Sequence, residues 1–221
     1  MTPDPTQDPT LDDLRAQLAP DIAANAAFDG WGEEALTLTA EAHGVDPGVA
    51  KLAFPEGAVD MIDAWFAHVD RAMLAALPPA TLATMKIRAR IAALIEARLA
   101  AAAPDREALR RALAILAMPQ NVGRAARLGW RTADTIWRAA GDTATDYNHY
   151  TKRTILLGVY GATVLVFLDD ESEDFADTRA FLRRRIDGIM RFEKAKAGFL
   201  QRTEHLPSLS RFIGRLRYPA V

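Results

Sequence analysis

The sequence predicts an all-α protein, and three observations predict it. Apolar residues recur at steps of three and four almost throughout the 221 residues, the spacing of one helix face. Runs of β-branched alternation are scarce, which leaves little room for strands. Pro78-Pro79, Pro104, Pro119 and Gly141 separate the periodic stretches, as residues that interrupt helices should. Half of the chain is hydrophobic, enough to bury a core.

Taken in order, residues 1–10 read as a disordered leader, too acidic for an organelle transit peptide and without the apolar run of a secretory signal. Leu11, Leu14, Leu18 and Ile22 mark the face of a first helix that closes near Asp29-Gly30. A second helix is expected from Glu33 to His43. Gly44 then suits the left-handed position after a helix, Asp46 an N-cap and Pro47 a first helical residue. This is a helix-turn-helix pattern. Further helices are predicted at 57–76, 80–102, 105–117, up to Ala140, 145–168, 173–199 and 207–217. The uncharged stretch 154–168 is shorter than the roughly 20 residues of a membrane span and is expected as the central buried helix. The layout is a head (11–70), a larger body (71–200) and an amphipathic tail (201–221).

Charge is distributed unevenly. Residues 1–70 hold two basic side chains, Arg15 and Lys51, against 14 acidic ones, a balance of −12. Residues 183–221 hold ten basic and three acidic side chains, a balance of +7. The tail, rather than the head, is built to meet anions. The chain has no cysteine, so disulfides, thiolate metal sites and cysteine nucleophiles are excluded.

No catalytic constellation stands out, and no catalytic residue, cofactor or metal is expected. His43, His68, His149 and His205 form no paired metal motif. Asp146 and His149 stand three apart at a helix start, where an acidic residue interacting with the helix dipole is as good a reading as a ligand or a protein contact. In the tail, Leu206, Leu209, Ile213 and Leu216 share a stripe with Phe212 beside it, and Arg211 and Arg215 lie nearby with Arg217. Such a segment can lie in a membrane interface with its arginines toward anionic head groups, or pack as an ordinary helix. Trp130, Trp137, Tyr160, Phe167, Phe175 and Phe181, interleaved with Gly158, Gly161 and Ala162, allow either a pocket between helices or a plain aromatic core.

The order of a helix-turn-helix head before a helical body resembles the tetracycline-repressor-type regulators. A second resemblance is closer. The stretches RALAILAMPQN (111–121) and WRAAGDTATDYNHYTKRTILLGVYGATVLVFLDDESEDFADTRAFLRRRIDGIM (137–190) look like the COQ-nine family of ubiquinone biosynthesis proteins. The likeness runs from about residue 108 to 190.

That resemblance implies a repressor-like fold, a homodimer, and a non-catalytic accessory role in ubiquinone biosynthesis. It implies a cavity for isoprenoid quinone or phospholipid, assigned to Leu113, Leu116, Trp137, Leu157, Tyr160, Gly161, Val164, Phe167 and Phe181. It implies a surface that recruits the demethoxyubiquinone hydroxylase, mapped by motif position onto Asp146, Tyr147, Asn148, His149, Tyr150 and Arg153. Eukaryotic members carry tryptophan where this chain has His149. The tail residues Leu206, Leu209, Arg211, Phe212, Ile213, Arg215 and Leu216 become the membrane-binding set. With no transit peptide read at the start, the expected place is the cytoplasm, peripheral to a bacterial inner membrane.

The alternative is a repressor-type transcriptional regulator with a hydrophobic effector pocket. Duplex affinity rests on several Lys or Arg that displace counterions, and the would-be recognition stretch DPGVAKLAF offers Lys51 alone. Filter binding at low salt is therefore expected to show no tight complex with duplex DNA. Retention of duplex at submicromolar protein would restore the regulator.

Overall fold

The computed structural model describes residues 9–143 and 147–203, with side chains described as far as Ile189. Among these, ten α-helices and two 3-10 turns form the fold, with no strand. The predicted helix at 207–217 and most of the predicted leader lie outside the described residues.

The head comprises α1 (Leu11–Asp29), α2 (Glu33–Ala42) and α3 (Pro47–Ala53). A capping box starts α1: the Thr10 hydroxyl accepts from the Asp13 amide, and the Asp13 carboxylate accepts from the Thr10 amide at 3.0 Å. Leu14, Leu18 and Ile22 are buried as their spacing predicts, while Leu11 stays exposed. The turn between α2 and α3 is a Schellman motif. Gly44 takes φ +67°, the Val45 amide donates to Ala40 O at 2.8 Å, and the Gly44 amide to Glu41 O at 3.0 Å. Asp46 then caps α3 through the Gly48 and Val49 amides at 2.8 and 3.2 Å.

Head and body share one core. Trp31 packs on Trp65 with ring centres 5.5 Å apart, and its indole N–H donates to Ala108 O at 2.9 Å. Trp65 belongs to α4 (Ala58–Ala76) and Ala108 to α7 (Arg106–Leu116). α5 (Pro79–Ala83), α6 (Ile87–Ala102), α8 (Val122–Ala139), α9 (Tyr147–Asp169) and α10 (Ala176–Thr203) complete the body.

Three expectations need correction. The helix predicted over 80–102 is broken at Thr84–Lys86, because Arg90 collects the loose carbonyls of Met85 at 2.9 Å and Ala83 at 3.4 Å. The helix predicted from 173 begins instead with a 3-10 turn, Glu173–Phe175. Asp174 and Phe175 both adopt left-handed backbone, φ 51° and 55°, which non-glycine residues rarely do. Finally, residues 154–168 are not fully buried. The stretch His149–Asp169 is long and apolar enough to cross a membrane, yet only 39% of its apolar 18-residue window is buried. Leu156, Val159, Val164 and Phe167 face the core while Leu165 is 64% exposed.

A single guanidinium ties four helices together. Arg98 of α6 is 2% exposed. Its Nε donates to Asp70 Oδ1 of α4 at 2.7 Å, its Nη1 to the Tyr160 hydroxyl of α9, and its Nη2 to Thr132 Oγ1 of α8 at 3.3 Å. The rings of Phe66 and Tyr160 stand 5.3 and 5.1 Å from it, within cation–π range. Burial works against its charge, and Tyr160 and Asp70 more than offset that, so its pKa rises. Burial also raises the pKa of the Tyr160 hydroxyl, which keeps it neutral.

Removing one member of a buried ion pair strands the other charge, at a cost of roughly 3–5 kcal/mol. Asp70→Ala should therefore lose about that much in urea unfolding, and Tyr160→Phe about 1 kcal/mol. An Asp70→Ala loss under about 1 kcal/mol would remove Arg98 from its central position.

Candidate functional site

A cleft of about 380 Å³ lies where α6 faces the first turns of α10, closed at one side by the end of α4 and the end of α9. Its wall is apolar: Leu77, Ala93, Ala97 and Ala100 meet Phe167, Phe175 and Leu182. Alanines at steps of three and four leave α6 without bulk on this face, and that absence of bulk makes the space. Glu96, Asp174 and Arg179 give the cleft a charged edge, with Arg179 and Asp174 paired at 3.9 Å.

The turn that carries Phe175 into the cleft is held from two sides. Asp170, 6% exposed, accepts four hydrogen bonds. Its Oδ1 takes the Ser172 amide and hydroxyl at 2.9 and 2.5 Å, and its Oδ2 takes the Thr178 amide and hydroxyl at 2.8 and 2.5 Å. Burial alone would raise its pKa, but these bonds win and hold the carboxyl well below the usual carboxylate range. From α7, Arg106 donates to Asp170 O at 2.5 Å and stands 5.7 Å over the Phe175 ring. That ring packs on Phe167 at 4.9 Å. Arg110 donates to Leu168 O at 2.6 Å, so two arginines satisfy the carbonyls at the end of α9.

Of the nine predicted lipid-contacting residues, Phe167 alone lines this cleft. Leu116 and Val164 are buried core, and Leu113 packs partly buried beside it. Tyr160 belongs to the Arg98 cluster. The Trp137 indole donates to Lys152 O at 3.1 Å. Leu157 lies over Gly129, where an added Cβ would come within 2.7 Å of its Cδ1. Gly161 and Phe181 are half-buried, and Phe181 lies under Arg185 at 4.8 Å. The sequence reading missed the α6 wall, whose alanines look like simple helix formers.

A second feature lies at the corner between α8 and α9. His149 and Tyr150 make an edge contact at 5.1 Å, and Trp130 of α8 packs beside them at 6.2 and 5.9 Å. Tyr150 is 61% exposed. The corner thus presents an indole, although from a different helix than the family pattern predicts. Asp146 lies outside the described residues, as do the side chains of Tyr147 and Asn148. The tail set Leu206, Leu209, Arg211, Phe212, Ile213, Arg215 and Leu216 also lies outside them.

Arg153 has no surface to offer a partner, being 1% exposed. Its Nε donates to Asp134 Oδ1 at 2.7 Å, and its Nη1 to Asp142 Oδ2 at 3.2 Å and His149 O at 3.1 Å. It positions the corner. Lys152 supports the same Asp142 from Oδ1 at 2.7 Å. Among the described residues, no group of three or more His, Cys, Asp or Glu side chains is arranged to hold a metal.

Residues 122–193 match the family described as COQ9. The rat mitochondrial ubiquinone biosynthesis protein COQ9 is 44% identical over 96 residues, 43% of this chain and 31% of that protein. The Bos taurus protein of the same name is 31% identical over 167 residues, 73% of this chain and 52% of that protein. The Drosophila melanogaster protein is 27% identical over 187 residues, 83% and 57% respectively. The chain therefore spans between about a third and somewhat over half of these relatives' lengths. Among solved structures, a TetR transcriptional regulator from Nitrosomonas europaea superposes with a TM-score of 0.62 at 25% identity, covering 80% of this chain and 96% of that one.

The expected cytoplasmic place at a bacterial inner membrane does not stand, because the matched relatives are mitochondrial proteins. That expectation came from the first ten residues, and the start of a chain that spans only part of its relatives is no guide to where the protein resides.

Replacing Arg153 by alanine should cost about 2 kcal/mol: Asp134 keeps Arg138 and Asp142 keeps Lys152, but each loses a buried charge-assisted hydrogen bond. Lysine should rescue little, because one ammonium cannot reproduce the guanidinium fork that holds Asp134, Asp142 and a carbonyl at once. Thermal unfolding with hydrogen exchange over residues 141–153 checks this, and full rescue by lysine would contradict it. Through residues 122–193, carried on a repressor-like helical scaffold, the chain belongs to the COQ9 (COQ-nine) family.

Proposed function

We propose that this chain is a non-catalytic lipid-binding accessory protein of ubiquinone biosynthesis. It takes up an isoprenoid quinone intermediate or a phospholipid at a membrane surface and presents it to the demethoxyubiquinone hydroxylase, which does the chemistry. The observation that carries this reading is the cleft of about 380 Å³ between α6 and α10, whose wall is mainly apolar and whose charged side chains stand at its edge, the lining that suits an apolar ligand with a polar end. The names of the relatives, all ubiquinone biosynthesis proteins, support the pathway.

Three regions suit the partners. The exposed aromatic corner of Trp130, His149 and Tyr150 has the composition of an interface anchor and suits the hydroxylase. The outer face of α9, with Thr154, Gly158 and Leu165 exposed, suits a second copy of the chain, since small residues let helices approach closely. The basic amphipathic segment 204–221 suits the membrane. Nucleic acid is not a partner in this reading: Lys51, the lone basic residue of α3, is already paired with Glu33.

The test is mass spectrometry of the gently purified protein, with liposome co-sedimentation before and after deletion of residues 204–221. The expected result is co-purified isoprenoid or phospholipid, and loss of most binding to anionic vesicles on deletion. Absence of any lipid would end the carrier reading, and unchanged sedimentation would end the tail's part in it.

A further inference from the structure

The cleft continues. Beyond Ala93 and Leu182, the next residues of the same two helices line a second hollow of about 200 Å³, floored by Ala89, Ala92 and Ile186 and rimmed by Lys86, Arg88 and Arg183. The two hollows are consecutive stretches of one seam between α6 and α10. One end of the seam is aromatic, at Phe167 and Phe175, and the other is cationic. Alanine lines the α6 side from Ala89 to Ala100.

Charges at the basic end differ in their commitments. Arg88 pairs with Asp187 across the mouth. Lys86 and Arg183 are exposed and have no carboxylate partner among the described residues. At the aromatic end the balance is negative: Arg179 offsets Asp174, and Glu96 remains beside them. The seam therefore has an electrostatic direction: net positive at one end only.

Length narrows the occupant further. From Lys86 to Ala100, α6 rises about 20 Å at about 1.5 Å per residue. One leaflet's hydrocarbon is about 15 Å deep, half of a core about 30 Å thick. A single extended lipid chain with its head group matches the seam in length.

We propose that the α6–α10 seam is a binding site for one anionic lipid, its phosphate-bearing head group held by Lys86 and Arg183 and its chain laid along the alanines toward Phe167 and Phe175. This rests on the lipid-binding reading above and narrows it, because a polyprenyl quinone has a neutral ring and would gain nothing from the basic end. Inorganic phosphate alone, lacking the chain, should hold poorly at two exposed cations.

The experiment titrates the full-length protein with oleoyl lysophosphatidate, oleoyl lysophosphatidylcholine and inorganic phosphate, below the micelle threshold, following bound lipid by native mass spectrometry. The wild type should prefer the phosphatidate by about tenfold over the choline lipid, the effect of one to two surface cations, and phosphate should not compete. Lys86→Gln with Arg183→Gln should abolish the preference by lowering phosphatidate binding to about the level of the choline lipid. Ala93→Phe with Ala97→Phe should weaken both lipids by filling the seam, with circular dichroism verifying the fold. Equal affinity for the two lipids in the wild type overturns the anionic site while sparing the carrier. Retained preference in the glutamine variant places the anion elsewhere and overturns it too. Competition by phosphate reduces the site to an anion patch. Failure of every lipid to bind rejects the carrier reading itself.

Discussion

A charge buried at the crossing of four helices sets the geometry of the body. Arg98 can stay ionised there only while Asp70, Tyr160 and Thr132 surround it, so α4, α6, α8 and α9 have to meet at one point and in one register. Apolar side chains alone would tolerate sliding, because alanine, leucine and isoleucine faces are interchangeable over a turn. The guanidinium does not tolerate it. Its position also orients α6, with Arg98 turned into the body while Ala93, Ala97 and Ala100 face α10. The cleft is open because the bulky groups of α6 are committed elsewhere.

Much of the architecture was legible in the sequence. Gly44, Asp46 and Pro47 announced the turn of the head by local chemistry, and each did what its residue type does. Burial of Leu14, Leu18 and Ile22 followed from spacing. What could not be read was anything decided by contacts far apart in the chain. The break at Thr84–Lys86 contains neither glycine nor proline, and it exists because Arg90 gathers carbonyls there and at Ala140, 50 residues away. The left-handed pair Asp174 and Phe175 has no sequence signal either, since the stabilising bonds come from Asp170 and from Arg106 of another helix.

The candidate site was legible only in kind. An apolar space was expected among the aromatic residues of the body, and Phe167 and Phe175 do border one. The other wall comes from α6, whose alanines carry no chemical signature. Small residues reveal a cavity only once their facing helix is known. Trp137 and Tyr160, named for the same space, stand apart from this cleft, with their polar handles bonded to Lys152 O and Arg98. The head, by contrast, combines a repressor-like shape with a strongly acidic balance, so shape by itself assigns no activity.

The clasp made by Arg90 links two regions that would otherwise be independent. Its Nη1 holds Ala140 O at the corner where the aromatic patch stands, and its Nε holds Met85 O, one residue before Lys86 at the basic mouth of the seam. A protein pressing on the corner hard enough to shift Gly141 must either break that grip or drag the mouth with it. The α8–α9 corner and the start of α6 thus share a mechanical element, one side chain long.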